Sequence, residues 1–80
     1  MKENYISISP NPAKDKVMLT VSGNNKPLTV RLVTATGHEL KNYIIHGEML
    51  QLNVSNLSPG MYYIRINGDG IAETRKVIIQ

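Results

Sequence analysis

Two histidines, His38 and His46, are the side chains in this sequence best suited to hold a metal ion. They stand at either end of a stretch that alternates like a strand. At about 3.4 Å per residue, roughly 27 Å would separate them, so one ion cannot take both unless the strand folds back. His46 and Glu48 flank Gly47 in an expected turn, which is too few ligands for a zinc site. Asp15 and Asp69 also fall in turn contexts, Asp69 between Gly68 and Gly70. The tetrapeptide Asn67-Gly68-Asp69-Gly70 is too short to cradle a phosphate, and no helix follows it to supply a positive N-terminus. Cysteine is absent, which removes thiolate chemistry and disulfides together. No serine–histidine–acid set can be built from these positions. The sequence therefore argues against an enzyme, and it implies no metal and no cofactor.

The elements that must position any binding residue are strands. Turn chemistry recurs about every ten residues, and between the turns lie Tyr5–Ser9, Lys16–Ser22, Leu28–Ala35, Glu39–Ile45, Met49–Val54, Met61–Asn67 and Ile71–Ile79. Within them the period is two. Val17, Leu19 and Val21 share a face, as do Leu28, Val30 and Leu32, then Leu50, Leu52 and Val54, then Tyr62, Ile64 and Ile66. Such alternation marks half-buried antiparallel strands. Nothing recurs at helical spacing over three turns. Asn67-Gly68 is a hairpin signal expected to join the last two strands. The pattern predicts an all-β fold, an immunoglobulin-like two-sheet antiparallel β-sandwich of about seven strands, with a five- or six-stranded barrel as the alternative.

Composition narrows the classes. The chain has 80 residues and reads as a single domain, 1–80. Apolar residues make up 41%, with no Phe or Trp, so Val, Ile and Leu must fill one continuous core. Nine basic and six acidic residues are scattered, for a net charge of +3. The basic residues are interleaved with Glu39, Glu48 and Glu73 and lack a groove of stacking aromatics, so no nucleic-acid partner is expected. No run approaches the ~20 apolar residues that span a bilayer, so no membrane insertion is expected. The opening MKENYISIS lacks an apolar run of signal-peptide length.

Two stretches break the strand rhythm. In Ser9-Pro10-Asn11-Pro12 both prolines lack an N–H, and the residue before each is pushed toward extended geometry. The segment can end an edge strand or carry the chain between sheets, but it cannot sit mid-sheet. In Leu57-Ser58-Pro59-Gly60-Met61-Tyr62, Pro59 and Gly60 suit a tight turn. Tyr62 then falls where sandwich folds place a tyrosine corner, its hydroxyl bonded to backbone a few residues upstream.

These stretches and the chain's end together resemble one family, the type A C-terminal sorting domain of the type IX (Por) secretion system of Bacteroidetes. The marks are a strand leading into Pro10-Asn11-Pro12-Ala13, a glycine turn at Thr36-Gly37, a G-x-Y at Gly60-Met61-Tyr62, and a basic residue followed by an aliphatic strand, Lys76-Val77-Ile78-Ile79-Gln80. The match runs from about Tyr5 to Gln80. Many relatives end in lysine where this chain has Gln80. The resemblance implies a non-catalytic delivery label at the tail of a larger secreted protein, with cargo N-terminal to it. The implied partners are the outer-membrane secretion machinery, which recognises the tail, and a sortase-like peptidase that removes it. The implied route is the periplasm in transit, then the cell surface or the medium. The implied recognition residues are Pro10, Asn11, Pro12, Gly60, Tyr62, Lys76, Val77, Ile78, Ile79 and Gln80, with Arg75 and Lys76 able to pair with acidic groups on a receptor. The rival reading is an extracellular adhesion or carbohydrate-binding module, for which Tyr5, Tyr43 and Tyr63 are the available ring-stacking residues.

Overall fold

The computed structural model describes residues 5–80. Seven strands follow one another: β1 (Ile6–Ser9), β2 (Lys16–Val21), β3 (Leu28–Thr34), β4 (Glu39–Ile45), β5 (Met49–Asn53), β6 (Gly60–Gly68) and β7 (Ile71–Ile79). No helix occurs among the described residues. The strands form two antiparallel sheets, β1-β2-β5 and β4-β3-β6-β7. This is the expected sandwich. Relative to the immunoglobulin constant arrangement, the fourth strand has left the sheet of the first, second and fifth and lies beside the third.

The period-two pattern explains the packing. Val17, Leu19, Val21 and Leu52 of the smaller sheet meet Leu28, Val30, Leu32, Ile45, Ile64, Ile66, Val77 and Ile79 of the larger one in a single buried cluster. β-Branched side chains dominate it, and these suit a pleated, half-buried surface. Asn24 is the buried polar residue in the described region. Its Nδ2 donates to the carbonyls of Lys26 and Gly47, each at 2.8 Å, which ties the β2–β3 loop to the β4–β5 loop.

Two local features refine the sequence reading. The β3–β4 register shifts between Leu32 and Val33, from Leu32↔Lys41 to Val33↔Glu39, so Leu40 is the extra residue of a bulge. Lys41, paired with the inward-facing Leu32 just before the bulge, shares the inner face with Tyr43 and Ile45, and its Nζ donates to the Asn53 carbonyl of the other sheet at 3.0 Å. The last hairpin also turns later than expected. Asn67 and Gly68 are still paired, with Ala72 and Ile71, so the loop is Asp69-Gly70 rather than Asn67-Gly68. Asp69 (φ 47°) and Gly70 (φ 78°) both take positive φ. That is the demand of a type I′ turn, and Asp-Gly meets it as well as Asn-Gly does.

This turn generates a stability prediction. Asp69→Asn should leave the melting temperature nearly unchanged, because asparagine tolerates the left-handed region. Asp69→Val should cost about 1–2 kcal/mol, since a branched side chain is penalised there. Thermal denaturation of the two variants checks this, and equal melting temperatures would count against the turn assignment.

Candidate functional site

The expected recognition residues come from three separated stretches of sequence, and the fold brings them to one end of the sandwich. The C-terminal half of β7 is the common element. On one side it pairs with the start of β6, Gly60↔Ile79, Met61↔Ile78 and Tyr62↔Val77. On its other side lies the crossover that follows β1. The peptide bonds before Pro10 and Pro12 are cis. β1 pairs with β2 alone and is an edge strand, and the segment after it passes to the edge of the opposite sheet. Both roles open to the proline segment are therefore filled.

Four hydrogen bonds make the contact. The Asn11 carboxamide accepts from the Ile78 N–H at 3.0 Å and donates to the Lys76 carbonyl at 3.3 Å. The Ala13 N–H donates to the Ile78 carbonyl at 2.8 Å, and the Gln80 N–H donates to the Ala13 carbonyl at 2.8 Å. Ala13 is fully buried and bridges Ile79 in parallel. A side-chain amide and one backbone residue thus act as a short added strand along β7. The physical reason lies in the prolines. With the proline N–H groups gone, the donors that reach β7 are the carboxamide between the prolines and the Ala13 N–H beyond them.

Tyr62 closes the other side. Its hydroxyl donates to the Ser58 carbonyl at 2.6 Å, while the ring sits in the core at 8% exposure. This is the tyrosine corner read from the sequence. Gly60 has φ 155°, at the edge of the region closed to other residues.

The residues at this end divide by exposure. Val77, Ile79 and Tyr62 are buried and Ile78 is half-buried, while Pro10, Asn11, Pro12, Gly60, Lys76 and Gln80 are exposed. Arg75 and Lys76 differ from each other. The Arg75 guanidinium donates to Glu73 at 2.6 Å and to the Thr74 carbonyl at 3.2 Å, so it is engaged within its own strand. Lys76 has no carboxylate within 4 Å among the described residues. Ala13 is a site residue that the sequence reading does not single out, although its place directly after Pro12 leaves it the first free backbone N–H beyond the prolines.

The other candidates disperse. Tyr43 packs against the core, Tyr63 lies on the outer face of the larger sheet, and Tyr5 precedes β1 at 71% exposure, so they make no common platform for a sugar ring. No group of three or more His, Asp or Glu residues that could hold a metal occurs among the described residues. His38 and His46 stand in separate turns, at either end of β4.

A family model described as the secretion system C-terminal sorting domain matches residues 7–80. The chain belongs to that family. No curated protein matches it. A domain of the sorting family is a type IX secretion signal, non-catalytic, which marks its protein for the cell surface or the medium through the type IX machinery. The adhesion or carbohydrate-binding reading is not favoured.

Two variants probe the sorting domain's end. Asn11→Ala should expose the Ile78 amide to faster hydrogen exchange and cost about 1 kcal/mol, the net value of an exchanged hydrogen bond. Tyr62→Phe should cost about the same through the lost Ser58 contact. Unchanged Ile78 exchange in the first variant, or an unchanged melting temperature in the second, would show that water serves these groups equally well.

Proposed function

We propose that this domain is the removable tail of a larger secreted protein of a Bacteroidetes organism and belongs to the type A sorting signals. The attached cargo crosses the inner membrane by the general secretory route, using its own export signal. The folded tail is then bound in the periplasm by the outer-membrane machinery and carried across with its cargo. A cysteine-dependent, sortase-like peptidase cuts it off, and the cargo is released or joined to an anionic lipopolysaccharide.

The observation that carries this reading is the convergence at β7. Pro10-Asn11-Pro12 and Gly60-Met61-Tyr62 flank Lys76–Gln80 from opposite sides, so three distant sequence marks form one surface. The buried members set its shape. Pro10, Asn11, Pro12, Gly60, Lys76 and Gln80 are the exposed groups through which a receptor would read it. A rim cation such as Lys76 tunes association rate more than affinity.

The test is a reporter carrying an export signal, fused in front of this domain in a Bacteroidetes strain with the system intact. The fusion should reach the surface or the medium. Removing residues 76–80 should trap it in the periplasm, but that truncation also deletes the buried Val77 and Ile79. The decisive variant is therefore Lys76→Glu with Gln80→Glu, which alters exposed positions alone. Export should fall roughly fivefold, the scale of about 1 kcal/mol in a binding step, with the melting temperature held. Full export from that variant would show that the exposed end is not what the receptor reads.

A further inference from the structure

The outer face of the larger sheet, turned away from the core, carries an arrangement that packing does not call for. Arg31 of β3 stands directly opposite Arg65 of β6, and Arg65 opposite Thr74 of β7. One pair further along, Val33 faces Tyr63 and Tyr63 faces Lys76. Like charges directly opposite one another weaken a sheet. Both arginines are exposed, so neither position is dictated by the core. Arg31 is attended by Glu39, with Nε 3.5 Å from the carboxylate. Among the described residues no carboxylate lies within 4 Å of Arg65. Beside this pair is a shallow depression of about 280 Å³ whose lining includes Val33, Tyr63, Arg65 and Thr74. Val33 is only 5% exposed, although it points away from the core. Arg65 thus lines a small, partly apolar hollow, and Arg31 stands opposite it on the neighbouring strand.

We infer that this face docks an acidic segment of a partner protein. Arg31 and Arg65 hold its carboxylates, and the hollow over Val33 and Tyr63 takes an apolar side chain of the same segment. The planar guanidinium fork matches a carboxylate in two-point contact. Neighbouring strands are about 4.8 Å apart, so β3, β6 and β7 together are about 10 Å wide, the width of an extended peptide. A bilayer surface offers no side chain to fill a hollow. A nucleic-acid strand needs successive aromatics, and Tyr63 stands alone on this face. The surface is a property of the domain by itself and stands whether or not the sorting reading of the β7 edge holds. Lys76, opposite Tyr63, borders both surfaces, whereas Gln80 belongs to the β7 end and Arg31 and Arg65 to this face, so those positions separate the two readings.

The test uses the 80-residue chain and a short fluorescein-labelled peptide of glutamate, aspartate and leucine, followed by anisotropy at low salt and at about 0.15 M. Saturable binding that weakens with salt is expected. Arg65→Gln and Arg31→Gln should each weaken it roughly fivefold to tenfold, the scale of a charge-assisted contact. Lys14→Gln removes the same charge from the exposed turn before β2 and should leave binding unchanged. Arg65→Thr should raise the melting temperature by about 1–3 °C, because the like-charge pair is gone. Four outcomes would each overturn the inference: no saturable binding up to about millimolar peptide, an equal loss with Lys14→Gln, tighter binding to phosphatidylglycerol vesicles or a single-stranded oligonucleotide, or a lower melting temperature in Arg65→Thr.

Discussion

A sheet that ends in solvent leaves a row of backbone donors and acceptors without partners, and this fold is organised around how one such row is closed. β7 is an edge strand that carries two fully packed core residues, Val77 and Ile79. Left bare, its end would be open to fraying and to strand addition by another chain. The crossover after β1 covers it with the Asn11 carboxamide and the Ala13 backbone. That contact joins the first strand region to the last and fixes the end where the sorting-family marks gather.

The remaining ties are distributed around the sandwich. Lys41 reaches from the bulged edge strand β4 to the Asn53 carbonyl and links the two sheets on the flank opposite β7. Asn24 binds the loops at the end where the last hairpin turns, and Lys26 lies 3.6 Å from Asp69 there. At the other end, Tyr62 anchors the β5–β6 connection to Ser58, and the Val54 N–H donates to the Asp15 carbonyl at 2.8 Å. Without cysteine, and in a chain small enough for a thin stability margin, these polar ties and one aliphatic core hold the domain. The three ion pairs among the described residues add little, because all lie at exposed positions.

Most of this fold was legible from alternation and turn residues. Each strand boundary lies within a residue or so of its expected place, because Gly, Pro, Asn and Asp punctuate the chain so regularly. The hairpin was misplaced because Asn67-Gly68 and Asp69-Gly70 satisfy the same φ requirement, and only the pairing of Gly68 with Ile71 decides between them. The bulge at Leu40 was invisible, since an extra residue in an exposed edge strand leaves no clear break in the pattern. At the candidate site, Tyr62 was readable because its corner follows from sequence position. The partnership of Asn11 with Ile78 was not, since it joins residues 67 apart in the chain and depends on which edge the crossover reaches.

The Asn11 clamp also sets how freely that position can vary. It needs one donor and one acceptor, held on separate atoms at the end of a short side chain, to span from the Lys76 carbonyl to the Ile78 N–H. Aspartate has the reach but no donor when ionised; glutamine has both groups on a longer arm; serine offers a single atom for both tasks. Of these four side chains, asparagine is the one that carries both groups on an arm of that length, so hydrogen-bond geometry already constrains the motif's middle letter before any receptor reads it.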